Sequence, residues 1–134
     1  MNERRSGFGA AAYSDKIYVA GGYDGQKNLS SVEVYHIKYN QWQILTSMKV
    51  PRHFCRMAVV GEKLIVIGGR SERWSFSKET ADTPSTTEWY HIESNTWTPG
   101  PKMTTKRCAF AVATVKVEKS ILEELQQNSE ESSE

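Results

Sequence analysis

This sequence repeats itself, and no other feature limits its fold as strongly. "IYVAGGYDG" (Ile17 to Gly25) and "LIVIGGRSE" (Leu64 to Glu72) are alternating apolar runs that end in paired glycines, 47 residues apart. Arg5 returns as Arg52 at the same spacing. Tyr35-His36, Trp42, Met48 and Arg52 return as Tyr90-His91, Trp97, Met103 and Arg107 at a spacing of 55. The eight extra residues therefore lie within residues 70–89, so the second unit carries a longer loop. Self-similarity at such a period marks a stack of repeated units, each too small to bury its own faces.

Each unit reads as four short strands. In the first these are Phe8 to Ser14, Lys16 to Gly22, Ser30 to Ile37 and Gln41 to Thr46. In the second they are Phe54 to Val60, Lys63 to Gly69, Thr87 to Ile92 and Thr96 to Pro99. Val32, Val34 and Tyr35, with Ile17, Val19 and Ala20, are the β-branched, aromatic and apolar runs that pleated strands favour. Ser14-Asp15 and Lys38-Tyr39-Asn40 supply turns. A four-stranded meander cannot bury both faces alone, so the expected architecture is all-β, with the units stacked radially as propeller blades. The glycine pairs then stand where a Cβ would strike a neighbouring blade. A phosphate-cradling loop needs a helix after the glycines, whereas "YDGQKNLSSVEVY" leads into another strand.

The set Gly21, Gly22, Tyr35, Trp42, Met48 and Arg52, repeated as Gly68, Gly69, Tyr90, Trp97, Met103 and Arg107, resembles the kelch repeat over about residues 5–117. His36 and His91 stand where kelch units often carry Asp. The resemblance implies a partial kelch β-propeller, similar to the carboxy-terminal portion of a BTB-kelch protein. It predicts a blade over 1–52, a second over 53–106 with an inserted loop at 70–87, a closing strand at 107–117 and an acidic tail at 118–134. Such propellers have about six blades, within a general range of four to eight, so two blades are expected to be a piece. In the tail, Ser120 and Glu123 match a capping box ahead of a short helix, and "QQNSEESSE" is too polar to fold.

Charge excludes more than it suggests. Residues 1–117 hold 16 Lys/Arg against 10 Asp/Glu, while residues 118–134 hold one Lys against six Glu. The basic residues are scattered and carry no nucleic-acid motif, and no run approaches the ~18 apolar residues of a membrane span. The amino end has no signal-peptide pattern, and Cys55 and Cys108 are too few for a disulfide framework. A cytoplasmic chain with reduced, structural cysteines is expected, and Asn28-Leu29-Ser30 is a sequon without a secretory context.

His36 and His91 occupy equivalent positions on different blades, too far apart to share a metal. His53 and Cys55 would lie roughly 6–7 Å apart along a strand, which favours structural roles over a nucleophile and base. Some kelch propellers are copper oxidases, but no Tyr/His/Cys ligand set can be placed here. The reading assigns no catalytic residue, metal or cofactor.

In kelch propellers the loops after the second strand and between blades open on one face around the channel. The resemblance gathers Ser6, Tyr23, His53, Phe54, Arg70, Arg73, Trp74 and Phe76 there. Arg, Trp and Tyr are enriched at binding hot spots, and guanidinium groups form paired bonds to carboxylates, so a protein partner with an acidic peptide suits this rim. Two functions follow from the resemblance. One is the substrate-recognition propeller of a cullin-RING ubiquitin ligase adaptor, reaching the ligase only through a BTB segment that these residues lack. The other is a cytoskeletal, actin-binding or scaffolding protein.

Overall fold

Among the described residues eight short strands form where apolar and β-branched runs fall between turn residues. The computed structural model describes residues 1–71, 85–116 and 119–120. β1 (Gly9–Tyr13), β2 (Lys16–Ala20), β3 (Val32–His36) and β4 (Gln41–Leu45) make one antiparallel sheet in that order. β5 (Arg56–Val60), β6 (Lys63–Ile67), β7 (Thr87–His91) and β8 (Thr96–Pro99) make a second of identical topology. The architecture is the all-β pair of four-stranded units that the repeat predicts.

β1 and β5 start later than the sequence suggests, for a reason written in the backbone. Gly7, Phe54 and Ala109 occupy equivalent positions and all take positive φ, at 61°, 54° and 52°. Such a kink ends extended geometry, so β1 and β5 begin two residues after it. The kinks also join the units: the Phe54 amide donates to the Gly7 carbonyl at 2.6 Å, and the Ala109 amide to the Phe54 carbonyl at 2.9 Å. The turn expected at Lys38-Tyr39-Asn40 takes the form of a 3-10 turn at Ile37–Tyr39, capped by Asn40, and closes the β3–β4 connection.

Alternation along the paired strands gives each sheet two faces. Met57, Leu64, Val66, Tyr90 and Trp97 of the second sheet pack against Tyr18, Ala20, Val32 and Val34 of the first, and this joint is the core. The Tyr18 and Tyr90 rings meet across it with centroids 6.2 Å apart. Burial first, then the neighbouring Tyr18, pushes the Tyr90 phenol up to about 12, so it stays protonated and donates to Asn95 Oδ1 at 2.9 Å. Trp97 Nε1 donates to the Thr46 carbonyl at 2.7 Å, and the Thr46 amide donates to Asn95 Oδ1 at 3.0 Å.

The glycine pairs do what the sequence reading asked of them. Gly21 and Gly68 have φ of 69° and 62°, and a Cβ on either would strike the backbone oxygen of Arg52 or Arg107. Their partners Gly22 and Gly69 donate to those same carbonyls at 2.8 and 3.0 Å.

Residues 107–116 do not form a strand. They run beside the second sheet as residues 52–60 run beside the first, and Thr114 Oγ1 donates to the Val59 carbonyl at 2.7 Å. The stretch has no antiparallel neighbour with which to complete a ladder among the described residues, which explains the missing strand. Residues 119–120 are helical, and the rest of the predicted acidic tail lies outside the described residues.

Candidate functional site

Two constellations stand out, one bracing the units and one opening on their loops. The brace is built identically twice. Arg5 Nη1 donates to the carbonyls of Gly21 and Ser31 at 2.7 and 3.1 Å, and its Nη2 meets Glu33 at 2.7 Å. Arg52 Nη1 donates to the carbonyls of Gly68 and Thr86, both at 2.9 Å, and its Nη2 meets Glu88 at 2.9 Å. Both ion pairs are buried, and the Nε of each arginine is buried without a partner.

The glutamates also fasten the chain that enters each unit. Glu33 accepts from the amides of Asn2 and Glu3, and Glu88 from those of Lys49 and Val50. Burial pushes the Glu33 carboxyl up, but the Asn2 amide, the Arg5 guanidinium and the Glu3 amide together outweigh it and hold it below the usual range. Sequence reasoning named the arginines and missed their partners. The signal was present, because Glu33 and Glu88 lie 55 residues apart, the spacing of the tyrosines that follow them. Arg107, the third arginine of the series, is exposed.

The second constellation lies at the loop ends. Ser6, Tyr23, His53 and Phe54, all predicted rim residues, line one hollow of about 210 Å³. Backbone bonds hold its walls: Ser6 and Tyr23 exchange amide-to-carbonyl bonds at 3.0 and 2.9 Å, and His53 and Arg70 do so at 2.9 and 2.7 Å. The His53 ring lies between those of Phe54 and Tyr23, with centroid distances of 4.7 and 6.1 Å. Burial holds the His53 imidazole below its ordinary value, and its Nδ1 is buried without a hydrogen-bond partner. The hollow thus offers mainly apolar and aromatic walls.

Arg70, also predicted here, reaches Cys108 Sγ through Nε at 3.3 Å. Arg73, Trp74 and Phe76 lie outside the described residues. Cys55 is fully buried and burial pushes its thiol up, which suits a packing residue. His36 and His91 sit on separate sheets and bond Gln43 and Thr98. No helix among the described residues is long and apolar enough to cross a membrane.

The Kelch motif matches this chain at residues 4–49 and again at 51–104, one match for each sheet. The chain belongs to the kelch-repeat family. It is 39% identical over 105 residues to an F-box/kelch-repeat protein of Arabidopsis thaliana, covering 72% of this chain and 25% of that protein. It is 39% identical over 69 residues to the influenza virus NS1A-binding protein of Homo sapiens, covering 52% of this chain and 11% of that one. Kelch-like protein 7 of Rattus norvegicus is 35% identical over 69 residues, with 52% and 12% covered, in keeping with the kelch-like resemblance. The chain thus spans a quarter or less of these relatives. Among solved structures it is similar to a fungal alcohol oxidase in complex with copper, with a TM-score of 0.66, 24% identity, and 77% of this chain and 23% of that one covered. At that identity the likeness speaks for the propeller fold alone. The two kelch matches, one to each sheet, show the repeat and the propeller fold.

Proposed function

We propose that this kelch pair binds a protein partner at its loop rim, as part of the substrate-recognition propeller of a BTB-kelch ubiquitin ligase adaptor. The observation that carries the reading is the hollow shared by the two units, with Ser6 and Tyr23 from one side and His53 and Phe54 from the other. A pocket built across a repeat joint, with aromatic walls, suits an anchor side chain of a partner. Arg70, with Arg73 further along the same loop, would draw an acidic segment of that partner towards it. Among the relatives, one is named for binding a protein, the influenza virus NS1A. The same reading makes the chain a binding module without catalysis, and places it in the cytoplasm.

The test uses a parent propeller containing these units. Arg70→Ala combined with Arg73→Ala should release an acidic partner in pull-down while the thermal melt changes little, because the backbone bonds that tie Arg70 to His53 stay in place. Tyr23→Ala, which removes a wall of the hollow, should weaken the same partner. If both variants keep the full set of partners, the rim is not the binding site. Recovery of a cullin-RING ligase with the parent, and its loss on removal of an upstream BTB segment, tests the adaptor role separately.

A further inference from the structure

The apolar hollow at the rim has a polar neighbour. A second hollow, of about 290 Å³, is lined by Arg4, Arg5, Ser6, Tyr23, Asp24 and Gly25. Ser6 and Tyr23 line both hollows, so the two meet along that wall. Of the charged groups in the second, Arg5 is already committed, since its guanidinium holds Gly21, Ser31 and Glu33. Arg4 is exposed and forms no ion pair among the described residues. Asp24 Oδ1 accepts from the amides of Gln26 and Lys27 at 2.7 and 2.8 Å. Those bonds, that of Lys27 first, hold its carboxyl below the ordinary range and keep it charged. Arg4 and Asp24 therefore bring opposite charges to one hollow without pairing with each other.

Neither charge serves the fold. The residues that brace the units recur, Arg5 as Arg52, Gly21 as Gly68 and Glu33 as Glu88, whereas Arg4 and Asp24 return as Pro51 and Ser71. Nor does their exposure depend on what precedes Arg4. The second unit has a unit before it, and there Pro51 is exposed and Ser71 half-buried, as Arg4 and Asp24 are in the first.

We propose that Arg4 and Asp24 read the partner residue beside the apolar anchor, and that this residue is a carboxamide, asparagine or glutamine. The inference rests on the reading of the rim as the binding site. A carboxamide offers its carbonyl to the guanidinium and its N–H groups to the carboxylate. A carboxylate in the same place meets Asp24 and an ammonium meets Arg4, so a residue of either charge is opposed by a like charge. Arg70 is tied to His53, on the other unit's side of the apolar hollow, and suits an acidic residue at the anchor's other flank.

The probe is a displayed peptide library with one fixed leucine or phenylalanine and random residues on both sides, selected on a parent propeller that contains these units. Asparagine and glutamine should be enriched about tenfold over alanine at one flank, with charged residues depleted there. Asp24→Asn keeps an oxygen for the two loop amides and should admit acidic residues at that flank. Arg4→Gln should admit basic ones. Both variants should melt with the parent, since neither charge braces the units. Tyr23→Ala separates this inference from the reading beneath it. If no peptide is selected, or if the selected peptides bind Tyr23→Ala unchanged, the rim is not the site and both fall. The carboxamide inference alone falls if the peptides need Tyr23 yet show no carboxamide preference at either flank, or if that preference survives in either Arg4→Gln or Asp24→Asn.

Discussion

Removing the Glu88 carboxyl leaves the Arg52 guanidinium buried beside two backbone carbonyls and no counter-charge. Breaking a buried pair in this way costs about 3–5 kcal/mol, far more than the net worth of the pair, so Glu88→Ala should lower the urea midpoint by most of the stability of a small domain. Glu33 adds a pH dependence whose direction is fixed. Its carboxyl lies below the ordinary 4.5, so its contribution is complete above that value and is lost as the pH falls through the lower, folded-state value. Urea midpoints measured from pH 6 downwards should fall in that acid range for the native chain, and less steeply for Glu33→Gln. Gly68→Ala tests the third kind of residue. A left-handed backbone costs an L-residue about 1–2 kcal/mol, and the collision with the Arg107 oxygen adds to it, so the loss should exceed that of Gly61→Ala, where φ is also positive but the space is open. The glycines were legible because their spacing and doubling have one steric reading. The glutamates were not singled out, because an acidic residue within a strand ordinarily faces water and only the structure shows it taken inside.

At the scale of elements, each strand and the turns at Ser14-Asp15 and Lys38-Tyr39-Asn40 were visible in sequence, whereas the kinks that delay β1 and β5 were not. Phe54 gives no hint in sequence of a left-handed backbone, which is set by its amide bond to Gly7 in the neighbouring unit. Asn40 and Asn95 are easier to read, since Asn is among the few residues at ease in that region, and they take φ of 52° and 51°. Their side chains are not equivalent in load. Among the described residues Asn40 Oδ1 accepts from Tyr35 within its own unit, while Asn95 Oδ1 accepts from Tyr90 and also from the Thr46 amide across the joint. Asn95→Ala should therefore destabilise the chain more than Asn40→Ala, with a difference of about 1 kcal/mol for the extra bond, read as a shift between two urea curves of similar slope. Equal losses would mean that the bond to Thr46 contributes nothing. The rim residues Ser6, Tyr23, His53 and Phe54 were predicted together because the kelch resemblance implies loops that open on one face, and these four of the eight predicted site residues line one hollow. The pocket itself was not foreseeable, since it depends on ring contacts between residues far apart in the chain.

At the scale of the whole molecule, the two tryptophans make the asymmetry between a covered and an uncovered unit measurable. Sequence gives Trp42 and Trp97 equivalent places in the repeat. In the structure each stacks on the tyrosine opposite it, with centroids 5.1 and 5.0 Å apart, yet only Trp97 lies in a joint, 9% exposed and bonded to Thr46. Truncating a buried tryptophan costs about 3–5 kcal/mol, so Trp97→Ala should uncouple the sheets as well as lower the melting temperature. Trp42→Ala removes a half-covered ring from an outer face and should cost markedly less in the dilute chain. The order should narrow where a further unit covers that face, because Trp42 then takes up the position Trp97 holds here. Thermal melts of both variants, in this chain when dilute and in a propeller that contains it, make the comparison. An equal loss in the dilute chain would show that the tyrosine stack, common to both units, carries the stability, and that the joint between sheets adds little to it.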